Sequence, residues 1–90
     1  MDIERIIGEV LSEQLGVPKE KIRSTAYFAR DLGVDGGDAD DLIEGIRNHI
    51  KKDFVIDMDK YFHPEAIIHL RKVQDITIVD LARMITKQIA

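Results

Sequence analysis

Apolar residues recur along this chain with the period of helices. Ile3, Ile6, Ile7, Val10, Leu11 and Leu15 fall three and four apart, one face of an amphipathic helix. Asp2 and Glu4 suit the positive N-terminal end of that helix. Gly16 stands where a left-handed residue would end it, and Pro18 prevents its resumption. A second stripe, Ala39, Leu42, Ile43, Ile46 and Ile50, predicts a helix beginning between Gly36 and Asp38. Two cap patterns are open there, Asp35 with Asp38 or Asp38 with Asp41. Acidic residues crowd the first half of this helix, and Arg47, Lys51 and Lys52 lie toward its end. That polarity opposes the macrodipole and needs no function to explain it.

Between the two stripes, residues 17–34 make a connection too long to be structureless in a small domain. Val17, Ile22, Tyr27, Phe28 and Leu32 are expected to turn inward and pin it. Pro18 to Lys21 predicts one helical turn and Phe28 to Leu32 another. Beyond the second helix, Asp53–Asp57 reads as extended, with Phe54 and Ile56 on one side. Tyr61 to Glu65 predicts a turn with Pro64 opening a short third helix that includes Ala66, Ile67, Ile68 and Leu70. Thr77-Ile78-Val79-Asp80 matches a capping box and opens a last helix bearing Ile78, Leu81, Ala82, Ile85 and Ile89. The expectation is an all-α bundle of four helices, the third short, with a long ordered loop between the first two, in a single domain over residues 1–90.

Composition changes this picture little. The chain is 44% hydrophobic and 33% charged, with a net charge of −4. Those values suit a globular fold and disfavour nucleic acid as a partner, because the basic residues do not gather along the sequence. Without cysteine, no disulfide or thiolate chemistry is available. No apolar leader region and no run of about 18 apolar residues occurs, so a cytoplasmic protein without a membrane span is expected.

The chemistry on offer is sparse. Asp31, Asp35, Asp38, Asp40, Asp41 and Glu44 are numerous enough to attract a divalent cation. Tested as an EF-hand loop from Asp31, however, they leave Gly33 at position three and Leu42 at position twelve. Weak association is conceivable on such a patch; a specific metal site is not expected. Glu65 and His69 are four apart on the third helix, with His63 nearby, but no third ligand stands at a matching spacing. Tyr61 and Phe62 suit core anchoring better than an exposed patch. No nucleophile, base and oxyanion donors assemble, so an enzyme is not expected.

The order of these elements resembles that of acyl and peptidyl carrier proteins. Leu15-Gly16-Val17 is similar to the close of the carriers' first helix. Phe28 followed by Asp31-Leu32-Gly33-Val34-Asp35 is similar to their Phe-x-x-Asp-Leu-Gly-x-Asp, and Ile76 to Leu81 to the opening of their final helix. The resemblance covers nearly the whole chain. It implies a serine directly after Asp35, carrying phosphopantetheine where helical N–H groups favour phosphate. Here Gly36 occupies that place and Gly37 replaces the following leucine, so no cofactor is expected. Phosphopantetheine would need an unusual hydroxyl, Ser24 or Thr25. Gly37-Asp38-Ala39 with Tyr61-Phe62-His63-Pro64-Glu65 further resembles a bacterial carrier-like group, which implies that the missing serine is a trait of the group.

In carriers, acidic and apolar residues of the second helix meet basic docking patches on enzymes. Asp35, Asp38 and Asp41 keep the acidic part. Asp40 and Glu44 stand where apolar contacts are usual, and Arg47, Asn48 and His49 where acid is common. The resemblance therefore implies a protein partner with a partly basic surface, held through Asp35, Asp38, Asp40, Asp41, Glu44 and Arg47 by a monomeric, non-enzymatic module. Two other expectations stay open: a true acyl carrier loaded at an unusual hydroxyl, and a binder of a free fatty chain between the helices.

Overall fold

A computed structural model describes residues 2–34, 36–61 and 75–90. Within them lie three long helices, α1 (Ile3–Leu15), α2 (Gly36–Ile50) and α4 (Ile78–Ile89), and one helical turn, α3 (Met58–Tyr61). No strand occurs among the described residues. The fold is all-α, and no helix among these residues is long and apolar enough to cross a membrane.

The stripes are the core. On α1, Ile3, Ile7, Val10 and Leu11 are buried, with Ile6 and Leu15 packed at the margin. Ala39, Leu42, Ile43, Ile46 and Ile50 of α2 and Ile78, Leu81, Ala82 and Ile85 of α4 complete one cluster, with α1 packed against both other helices. Phe28, Leu42, Leu81 and Ile85 lose all contact with water. Each such side chain contributes about 1.5–3 kcal/mol of transfer free energy.

The helix ends follow local rules. The Asp2 carboxylate accepts from the Arg5 N–H at 3.1 Å, capping α1. Gly16 ends that helix in the left-handed region at φ 69°, and the Val17 N–H donates to the Leu11 carbonyl at 3.0 Å. The capping box of α4 forms in both directions. Asp80 N–H donates to Thr77 Oγ1, and Thr77 N–H donates to Asp80 Oδ2, each at 3.2 Å.

The long loop supplies the rest of that cap. Ile78 N–H donates to the Ala26 carbonyl at 3.1 Å and Val79 N–H to that of Ser24 at 3.0 Å. Every N–H of α4's first turn is thereby satisfied. In return Phe28 N–H donates to the Ile76 carbonyl at 3.0 Å, so Tyr27 and Thr77 form an isolated antiparallel bridge. Val17, Ala26, Phe28 and Val34 are buried beneath the loop, and Ile22 and Leu32 are partly so. Tyr27 departs from the inward expectation: it is half-buried, its ring covered by the Arg30 guanidinium at 4.3 Å. Lys19–Lys21 form a 3-10 turn where one helical turn is expected.

After α2 the chain is held extended from both sides. Phe54 and Ile56 are buried while Val55 is 75% exposed. The Gln88 side-chain amide grips the Val55 backbone, accepting from its N–H at 2.7 Å and donating to its carbonyl at 2.8 Å. The helical turn that follows takes in Tyr61, earlier than the sequence pattern suggests. Asp57 caps it, its carboxylate accepting from the Lys60 N–H at 3.1 Å. The expected third helix from Pro64, and with it Phe62, His63, Glu65, Ile67 and His69, lies outside the described residues.

Candidate functional site

The candidate site is the N-terminal half of α2 and the turn that leads into it. That turn, Tyr27 to Gly33, is built like a fragment of helix. Asp31 and Leu32 N–H groups donate to the Tyr27 carbonyl at 3.0 and 3.1 Å, and Gly33 N–H to that of Ala29 at 3.3 Å. Gly33 closes it at φ 67°, where a side chain would be strained. Val34 N–H then returns to the Phe28 carbonyl at 2.9 Å, which sets the exit toward α2.

Two carboxylates hold the turn's other end. Asp75 accepts from the N–H groups of Ala29 and Arg30, one on each oxygen, both at 3.0 Å. Asp31 turns back to accept from the Tyr27 N–H at 2.8 Å, with Arg30 Nε 3.4 Å from its second oxygen. The Tyr27 N–H, more than Arg30, holds the Asp31 carboxyl below its ordinary value of 3.8, against a smaller opposing effect of desolvation. Asp31 is thus committed to the turn.

Helix α2 opens at Gly36, directly after Asp35, which lies outside the described residues. Asp38 is therefore inside the first helical turn and does not precede the helix, which disposes of the cap pattern starting at Asp38. With Ala39, Leu42 and Ile43 facing the core, Asp38, Asp40, Asp41 and Glu44 are left exposed. Among the described residues, the first three have no ion-pair partner and Glu44 has only a loose contact with Arg47 at 3.9 Å. The helix presents water with an acidic fringe at its positive end.

Arg47 stands apart from that fringe. Its Nη2 donates to the Phe54 carbonyl at 2.8 Å and its guanidinium lies 5.2 Å from the Phe54 ring centre. Asp53 sits 3.3 Å from Nε, out of line for a hydrogen bond. The side chain works as a strut that fixes the exit from α2. His49 bridges to α1 instead, with Nε2 3.5 Å from the Glu9 carboxylate, which also takes Arg5 Nε at 3.1 Å.

Gly45, Asp75 and Gln88 carry weight that sequence patterning does not reveal. A Cβ on Gly45 would lie 2.8 Å from Val10 Cγ1 and 2.7 Å from Gln14 Oε1, so this glycine lets α2 approach α1 closely. An isolated glycine inside a helical pattern is the signal that could have found it. For Asp75 and Gln88 there is no such signal, because their partners are remote in sequence.

No protein-family model matches the chain, and no solved structure matches it. The acyl carrier protein of Nitratidesulfovibrio vulgaris (strain DSM 19637 / Miyazaki F), a curated relative, is 34% identical over 59 residues. The match spans 66% of this chain and 72% of the relative.

Proposed function

The chain belongs to the acyl carrier protein family, and on that premise we propose that it is a carrier-fold module bearing no phosphopantetheine, which acts by holding a protein partner through α2. One observation carries the reading: the residue that opens α2 is Gly36. A phosphodiester needs a hydroxyl oxygen, and glycine offers none, so the group does not fit the residue present. The attachment serine of the resemblance is lost, while the fold that would present it is kept.

The partner surface follows from what α2 exposes. Asp38, Asp40, Asp41 and Glu44 form an acidic face for a partly basic docking surface, with Asp35 adjoining it in sequence. Such a face steers encounter and rejects acidic competitors more than it adds affinity. Arg47 belongs to the reading as the strut beneath the acidic face and as a local positive charge that repels uniformly basic partners. The module is a monomer of one domain, cytoplasmic, with no reaction of its own.

The test is a cross-linking residue placed at position 37, followed by affinity measurement with the recovered partner. Reversing charge at Asp38→Lys and Asp41→Lys together should weaken binding by roughly tenfold. Affinity unchanged in the double variant, with the fold intact by circular dichroism, would move the interface away from α2.

A further inference from the structure

We propose that an open depression of about 440 Å³ between the Lys19–Lys21 turn and the Tyr27–Gly33 turn binds a phosphate group. Read linearly, the cations of this stretch are interspersed with neutral and apolar residues. The fold brings Lys21, Arg23 and Arg30 to the wall of one depression, with Thr25 between them. The wall carries three cations, Lys21, Arg23 and Arg30, against two carboxylates, Glu20 and Asp31, in a chain whose net charge is −4. Of these three cations, Arg30 alone is drawn into an ion pair among the described residues, with Asp31.

The cations are available. Among the described residues, Lys21 and Arg23 have no carboxylate partner and the Thr25 hydroxyl makes no hydrogen bond. Arg30 is held in place, with its guanidinium over the Tyr27 ring at 4.3 Å and its Nε toward Asp31 at 3.4 Å. Its terminal amino groups remain as donors in a fixed plane, the arrangement that suits phosphate oxygens. Two carboxylates also line the depression. Asp31 is already engaged by the Tyr27 N–H and Arg30. Glu20 is exposed and has no partner among the described residues, so it can turn into solvent. A phosphate ester of a small molecule or a lipid headgroup presents the same oxygens to this wall.

The experiment is an amide NMR titration of the intact chain with inorganic pyrophosphate at low salt. A parallel arm uses vesicles containing phosphatidic acid. The expected result is a saturable shift confined to residues 19 to 33, weakened about tenfold in Arg23→Ala and unchanged in the remote control Lys52→Ala. Vesicles that compete with pyrophosphate for those amides would identify the lipid headgroup as a source, and vesicles that leave them unshifted would identify the small-molecule ester. Shifts that fail to saturate, or that spread equally to Lys51, Lys52 and Lys87, would overturn the site in favour of diffuse ion attraction. Binding that survives Arg23→Ala undiminished would overturn it as well.

Discussion

Replacing Gly45 with alanine sets two physical effects against each other. Glycine in a helix interior is about 1 kcal/mol less favourable than alanine, so propensity alone makes Gly45→Ala stabilising. The new methyl would sit 2.8 Å from Val10 Cγ1 and 2.7 Å from Gln14 Oε1. The end of Gln14 can swing aside at little cost. Val10 cannot: it is 1% exposed, β-branched and packed in the core. Forcing apart a well-packed contact costs about 1–3 kcal/mol, so the net effect is destabilisation of about 1 kcal/mol. In a domain of this size that lowers Tm by roughly 4–8 °C. Gly8→Ala is the matched control. Its methyl meets only Ile22 Cγ2 at 3.2 Å, on a partly buried loop side chain that can give by a few tenths of an ångström. There propensity wins, and stability should rise by about 0.5 kcal/mol. Paired urea titrations with equal slopes measure both. A Gly45→Ala chain as stable as its parent, beside a stabilised Gly8→Ala chain, would refute the close approach of α1 and α2 at this residue.

Lys51 follows α2 with φ 55°, a left-handed conformation that costs a lysine more than a glycine. Lys51→Gly should therefore raise stability by about 0.5–1 kcal/mol in the same titration, and a loss would contradict the cap geometry. Gln88→Leu removes both hydrogen bonds to the Val55 backbone. Its expected cost is about 1 kcal/mol, with faster hydrogen exchange at the Val55 amide; unchanged protection there would mean that the clasp does not hold the segment. Because the folded Asp31 carboxyl is held below 3.8, mainly by the Tyr27 N–H, its stabilisation is present above that value and is lost as acid takes the pH through the lower folded value. Acid titration of Asp31→Asn beside the parent should show the parent's advantage at neutral pH closing below about pH 4; a gap that widens in acid would reverse the assignment.

The helices were legible because burial and capping are local in sequence. The stripe on α2 faces the core from Ala39 to Ile50, and Thr77 with Asp80 forms the box that its spacing spells out. Where interactions cross the chain, the pattern is silent. Asp75 reaches back 46 residues to Ala29, and Gln88 reaches back 33 to Val55. No period encodes either. Tyr27 is half-buried with its ring beneath Arg30, a contact that hydrophobicity alone does not register. The site was legible in part. The exposure of Asp38, Asp40, Asp41 and Glu44 follows from the stripe, since the core face of α2 leaves them nowhere else to point. Arg47 carries the same sequence signal as those residues, yet its guanidinium is taken by Phe54, which only folding brings near.

The proposed function has a carrier fold kept while its attachment chemistry has gone. Intact-mass analysis tests it directly. The chain and a Gly36→Ser variant would each be incubated with coenzyme A and a broad-specificity phosphopantetheinyl transferase. The expected result is an unchanged parent mass and a gain of one phosphopantetheine on the variant. A mass gain on the parent chain would contradict it and would move the attachment to another hydroxyl.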